Sequence, residues 1–341
     1  MTRLFTDGAE SGDMGRWTTL SGGTPPIVTT VTKRTGNLSY RIPVNTCYME
    51  KVLPSTYTEF YARFAFYFHD TVANRFFMWL NGGSEAGSLR TVSFGNGVAT
   101  ISVYDGTTLR ATSSAFTMAP SEWHVFEIHV KIAANPNGAF QVKFDGTLVL
   151  NWPGATNSQA LIDRIRFPNT STGNANYSSY ADDIAINDVA GGIDNSWCGD
   201  GGVLAALVPI TGAAEYADLI ASTGEAWECV NEIPANADYV YESTVNKKST
   251  YLLSDLAGLP SGASIARVWV ELDALETAAD GDKIATFLRS GTTDEQGADQ
   301  VLTLAYVRYL SAEYLTDPDD DYGGPWTEEA VNALQAGCVV R

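Results

Sequence analysis

Between Glu59 and Phe68 the chain reads Glu-Phe-Tyr-Ala-Arg-Phe-Ala-Phe-Tyr-Phe. In an extended strand successive side chains point to opposite faces. Phe60, Ala62, Phe64, Phe66 and Phe68 therefore share one face, and Glu59, Tyr61, Arg63, Ala65 and Tyr67 share the other. This is a strand with one buried and one largely exposed face. Further strands are expected at residues 75–80, 89–94, 99–104 and 108–112. The turns between them, Asn81-Gly82-Gly83, Gly95-Asn96-Gly97 and Asp105-Gly106, supply the positive φ that tight hairpins require. Short strands at this spacing predict an all-β sandwich, and residues 1–190 show no sustained 3.6-residue periodicity.

Residues 121–188 add an order of elements. Trp123 opens a long strand, a strand-Asp145-Gly146-strand hairpin follows, and Asp182-Asp183-Ile184-Ala185-Ile186-Asn187-Asp188 closes the segment. With the β-rich opening, this order resembles the laminin-G-like jelly roll of concanavalin A-like lectin/glucanase domains, over residues 1–190. The resemblance implies a carbohydrate- or protein-binding module with calcium at one rim. It places Asp182 and Asp183 as the calcium ligands, and no other cofactor is expected.

A chain of 341 residues that is 45% hydrophobic has material for more than one core. Charge divides it: residues 1–190 carry 14 Lys+Arg against 15 Asp+Glu, and residues 191–341 carry 7 against 25. We therefore expect a boundary near residue 190, a Gly-rich junction over 191–202, and an acidic β-rich assembly domain over 203–341. A surface this acidic repels phosphate backbones and anionic membranes, which excludes nucleic acid as a partner. The apolar runs are too short and broken for membrane insertion, and the first residues lack the apolar core of a signal peptide, so synthesis in a cytoplasm is expected. Cys47, Cys198, Cys229 and Cys338 are too far apart for a metal knuckle, and His124 and His129 sit on strands as structural residues, so no zinc is expected.

In the second half, strands are expected at residues 203–208, 239–243, 249–253, 263–271, 283–290 and 301–310. One short helix closes the chain, with Thr327 as its N-cap, Glu328 and Glu329 in its first turn, and Gly337 as its C-cap. Three segments carry a second resemblance: Asn195-Ser196-Trp197-Cys198-Gly199-Asp200-Gly201, Tyr251-Leu252-Leu253-Ser254-Asp255-Leu256, and the ending from Pro325-Trp326-Thr327 to Gly337. With the jelly roll they resemble virion proteins of tailed bacteriophages. That resemblance implies a non-enzymatic structural component of the particle at the tail tip, baseplate, fibre or capsid surface. Its partners would be other virion proteins and further copies of itself, with host-surface glycans for the lectin-like domain.

Two alternatives belong to other classes. A carbohydrate-binding host adhesin would use residues near loop tips, for which the candidates are Trp79, Asn81, Tyr104, Tyr177 and Tyr180. Trp123, Trp152, Trp227 and Trp269 lie in apolar or strand-like settings and are expected to pack as core or inter-sheet contacts. A glycan-degrading hydrolase would use Glu271, Asp273 and Glu276, whose spacing matches laminarinase-type enzymes. Glu276, however, falls on the opposite face of a regular strand.

Overall fold

The computed structural model describes residues 3–341 except 45, 70–73, 96, 135, 157–160, 171–177, 257 and 320–323. The chain forms two units, Met1–Leu204 and Ala205–Arg341. The Gly-rich stretch 191–202 thus belongs to the first unit. Net charge marked the boundary only roughly, because a segment's charge does not say which core it packs on.

The first unit is a jelly-roll sandwich of two antiparallel sheets. The front sheet has the order Thr147–Pro153, Ala139–Phe144, Trp123–Lys131, Glu59–Tyr67, Ser179–Asn187, Ser39–Ile42 and Ile27–Thr29, with Arg3–Asp7 also pairing with Ser179–Asn187. The back sheet has the order Thr108–Thr112, Val98–Asp105, Ser84–Gly95, Asn74–Asn81, Ile162–Asn169, Cys47–Tyr57 and Thr19–Ser21. Phe60, Phe64 and Phe66 point between the sheets and are fully buried. Phe64 stacks on Phe77 and Phe126 at centroid distances of 4.9 and 5.6 Å and meets Phe167 edge-on at 4.9 Å. Each such side chain contributes about 1.5–3 kcal/mol by leaving water. The hairpin between Ala139–Phe144 and Thr147–Pro153 turns on Asp145 (φ 45°) and Gly146 (φ 79°), the two positive φ values that a two-residue turn demands.

The second unit is more irregular. One sheet joins Lys248–Leu252, Gln335–Val340, Lys283–Ser290 and Thr293–Gln296, with Gln300–Val301 beside Lys283–Ser290. Two ribbons stand apart from it, Ile220–Ala221 with Val240–Tyr241 and Glu271–Ala274 with Val307–Leu310. The expected strand at 203–208 forms no ladder, and of the one expected at 263–271, residues 263–270 make only isolated bridges from Ile265 and Val268, while Glu271 opens the strand Glu271–Ala274. Apolar composition favours extension, but a strand also needs a partner edge, and that is a non-local property.

The helix Glu328–Asn332 starts as expected, with Ala330 N donating to Thr327 Oγ1 at 3.0 Å. Its C-terminus differs. Ala333 caps it, and Gly337 lies inside the strand Gln335–Val340, where a Cβ would stand 1.9 Å from the Ser249 carbonyl oxygen. Gly337 is there for close approach of two strands rather than for a left-handed cap.

Phe64→Ala should lower the stability of the first unit by about 3–5 kcal/mol, read from denaturant unfolding. Gly337→Ala should cost the second unit about 1–3 kcal/mol by overpacking, read in the same way.

Candidate functional site

In antiparallel sheets, side chains directly opposite each other share a face, so the register of the front sheet writes rows of residues across its outer surface. One row runs Ile27, Arg41, Tyr180, Tyr67, Trp123 over five neighbouring strands. It spans about 19 Å at the usual strand spacing. Tyr67 meets Trp123 and Tyr180 edge-on, each at 5.6 Å. Arg41 Nε donates to Ser178 Oγ at 3.0 Å. Arg41, Tyr67 and Trp123 are half-buried, Ile27 is exposed and Tyr180 is 9% exposed, so this row opens to solvent on either side of a buried Tyr180.

Two further rows lie along the same strands. One runs Ala185, Arg63, Glu127, Lys143 and the other Asn187, Tyr61, His129, Gln141, Asn151. The Tyr61 and His129 rings stack at 4.2 Å and 6°. Both imidazole nitrogens of His129 are engaged, with Gln141 Oε1 at 2.9 Å and Glu59 Oε1 at 2.8 Å. Residues 194–203 lie over these rows. Trp197 meets Tyr61 edge-on at 5.4 Å, Lys143 Nζ sits 4.0 Å from the Trp197 ring, and Gly199 N donates to Glu127 Oε1 at 2.9 Å. Arg63 is 5% exposed, and its Nε has no hydrogen-bond partner among the described residues. Burial holds its pKa below the ordinary arginine value, and the Asp183 charge works against that shift.

Asp182 and Asp183 are fully buried at an irregularity of the strand Ser179–Asn187, where Asp183 adopts φ 53°. Asp183 accepts from Thr35 Oγ1 at 2.5 Å, Val203 N at 3.0 Å and the Arg34 guanidinium at 2.8 Å. Asp182 accepts from Arg34 N at 3.0 Å and Asp183 N at 2.8 Å. These donors occupy the oxygens that calcium would need, and Arg34 supplies the positive charge, so the pair as folded does not fit a calcium ion. Burial first, then the Asp183 charge, pushes Asp182 up to about 8. Burial pushes Glu10 up to about 7 despite hydrogen bonds from the Leu38 and Asn37 backbone.

The expected sugar-binding residues do not form one site. Trp79 is 1% exposed and packs on Phe140 in the core. Asn81 ends its strand in the back sheet, and Tyr104, also in the back sheet, lies 3.7 Å beneath the Arg90 guanidinium. Tyr177 lies outside the described residues. Tyr180 alone of the candidates falls in the row with Tyr67 and Trp123, and there it is buried. Trp123, expected to pack inside, is instead half-buried on the outer face. The signal was its parity: Phe126, Ile128 and Val130 point inward, so Trp123, an odd three residues before Phe126, must point outward. Parity with Phe60–Phe68 gave Tyr67 its outward direction in the same way, whereas Arg41 carried no sequence signal.

The hydrolase trio is divided among other partners. Glu271 accepts from Trp269 Nε1 at 2.8 Å, and Asp273 is held by Arg308 at 2.8 Å, with Glu271 3.5 Å from the same guanidinium. Glu276 accepts instead from Asp282 N at 3.1 Å. Among the described residues, Glu276, Asp280 and Asp282 are the group whose ligand atoms come within 4.8 Å of one another. No helix of the described residues is long and apolar enough to cross a membrane.

No protein-family profile matches the chain, and none of the curated proteins does. Solved structures similar to it include an endo-β-1,4-glucuronan lyase from the fungus Trichoderma reesei (14% identity, TM-score 0.43, over 55% of this chain and 95% of that one). A cellulose-induced protein (17%, TM-score 0.42, over 53% and 96%) and a marine alginate lyase from Aplysia kurodai (14%, TM-score 0.34, over 47% and 86%) are others. These likenesses are too loose to transfer a site. None of the three is a virion protein, and two are enzymes. The expectation of a non-enzymatic component of a tailed-phage particle is corrected on this finding. Its motifs have an internal cause: Trp197 packs on Tyr61, Tyr251 lies in a paired strand, and Trp326 is 4% exposed with its Nε1 donating to the Tyr314 carbonyl at 2.9 Å.

His124 tests the electrostatics of this unit. Burial alone would lower its pKa, but Asp145 Oδ2 at 2.9 Å and the Ala119 carbonyl at 3.0 Å hold it above the ordinary 6.5. Because the folded value lies above the unfolded one, this stabilisation is complete below about 6.5 and is lost as pH rises through the folded value. Denaturation midpoints taken from about pH 5 to about pH 9 should show that loss in the native chain and lack it in His124→Gln.

Proposed function

We propose that the first unit binds an acidic polysaccharide across the outer face of its front sheet. The observation that carries this is the row Arg41, Tyr180, Tyr67, Trp123, in which Tyr67 contacts the rings on either side of it and a guanidinium stands at one end. Aromatic faces take the apolar C–H surfaces of sugar rings, and their rigidity keeps the entropy cost of binding low. A guanidinium presents five N–H donors, and Arg41 directs its Nε at Ser178. The remaining donors suit a carboxylate, which arginine recognises with paired hydrogen bonds. A linear row on a sheet suits a linear chain of sugars rather than a single compact ligand.

Cleavage of the same polysaccharide is a second reading, favoured by Tyr180 standing directly opposite Arg41 with Tyr67 next to it in the row. A carboxylate neutralised by Arg41 has a more acidic neighbouring C–H. With one tyrosine as tyrosinate, its oxygen takes that proton, the C–O bond one carbon further on breaks, and the hydroxyl of the other tyrosine protonates the departing sugar oxygen, leaving an unsaturated uronate.

Titration calorimetry with a glucuronan hexasaccharide should show Trp123→Ala weakening binding by about tenfold or more, a loss of about 1.4 kcal/mol or more. Arg41→Gln should weaken binding of this hexasaccharide while leaving any binding of cellohexaose unchanged. Native chain that binds no polyuronate would sink the proposal. Ultraviolet absorbance from a new carbon–carbon double bond, abolished by Tyr67→Phe or Tyr180→Phe, would establish cleavage.

A further inference from the structure

The covered rows differ from the open one in a way the polysaccharide reading leaves unexplained. Tyr61, Arg63, Glu127 and His129 stand on the same face of the same strands as the binding row, with Lys143 on the neighbouring strand, and Arg63 lies two pleats along its strand from Tyr67. A polar face of this kind is ordinarily left to water. Here residues 194–203 cross it without regular secondary structure. The segment is tied at both ends, by Arg3 to Asp194 at 3.1 Å, by Asn187 Nδ2 to the Ser196 carbonyl at 2.9 Å, and by Val203 N to Asp183 at 3.0 Å. Between these ties it is held by the Trp197 indole, by Gly199 N on Glu127, and by Arg34 on Asp200 at 2.6 Å. Ser196, Gly199, Asp200, Gly201 and Gly202 are all exposed, so much of the segment contributes little to the core.

What it covers is poorly matched to it. Gly201 is the residue over Arg63, so close that a Cβ would stand 2.9 Å from Nη1. Yet Arg63 Nε receives no acceptor, and the charges acting on this guanidinium include two other cations, Arg3 and Arg34. A buried donor without an acceptor is unfavourable, and an incoming anion would remove that deficit.

We propose that residues 194–203 form a displaceable strap over part of the acidic-saccharide site, and that a sugar carboxylate competes with the strap for Arg63. This rests on the polysaccharide reading above. The ligand enters on the open row at Trp123 and Tyr67, and its end turns from the row along the strand Glu59–Tyr67, displacing Trp197 and Gly201 and reaching Arg63. Affinity is reduced by the fraction of molecules in which the strap is closed. The Gly191-Gly192 stretch, where Gly192 has no atom within 4 Å of a built Cβ, gives the strap room to swing.

Cys198 reports on the strap, because its Sγ faces the Ala185 carbonyl at 3.6 Å, burial pushes its thiol up to about 11, and the other three cysteines are buried. In the native full-length chain, saturating glucuronan hexasaccharide should accelerate labelling of Cys198 by a thiol reagent by about fivefold or more, with Cys198→Ser as background. Unchanged or slower labelling overturns the strap. Trp197→Ala should tighten hexasaccharide binding by about 5- to 150-fold, and adding Arg63→Gln should abolish that gain. If Trp197→Ala leaves the affinity unchanged while Trp123→Ala lowers it, the strap falls and the binding row stands. If neither the native chain nor Trp197→Ala binds the hexasaccharide, both fall. The labelling experiment needs no substitution that could disturb the strap's fold, so the inference remains open to refutation if Trp197→Ala is unstable.

Discussion

The alternating strand Glu59–Tyr67 governs the first unit. Its inward phenylalanines are packed from both sheets, with Phe64 in contact with Phe77, Phe126 and Phe167. A slip of one residue would carry that whole apolar column to the solvent face, so the register is held by the core. The outer face inherits this register. Tyr67 stands opposite Trp123 and Tyr180 because Phe66 is committed to the interior one residue before it. The candidate site is therefore the reverse side of the core packing, and its precision comes from the same hydrophobic contacts.

Electrostatics acts on a second level. The closing strand brings two consecutive carboxylates, Asp182 and Asp183, into full burial, where each would be prohibitively costly alone. Arg34, Thr35 and the Val203 amide satisfy Asp183, and in doing so they fix the far end of the segment that crosses the sheet. Arg63 is the counterpoint: it feels the Asp183 charge yet lacks an acceptor at Nε.

Two of the three motifs that suggested a particle protein are instructive. Trp197 and Trp326 are conspicuous in sequence because each anchors an irregular segment, and a large indole is an economical way to hold chain that has no ladder of hydrogen bonds. Such residues look like recognition motifs until their intramolecular partners are known. Trp79 and Trp123 exchange roles for a related reason. Loop proximity placed Trp79 in a binding site and an apolar neighbourhood placed Trp123 in the core, whereas the parity of each side chain along its strand decides which face it occupies.

Local pattern by itself determined the all-β class, the alternating strand Glu59–Tyr67, the Asp145-Gly146 hairpin and the Thr327 cap, because each depends on residues close in the chain. Tertiary structure alone decided the rest. Arg41 joins Tyr180 through a strand pairing between residues 139 positions apart, Gly337 serves a strand crossing rather than a helix end, and residues 194–203 return over a sheet whose strands were laid down far earlier. Period and propensity are properties of one strand, but a row, a crossing and a cover are properties of which strands meet, and those meetings are set by the packing of the whole core.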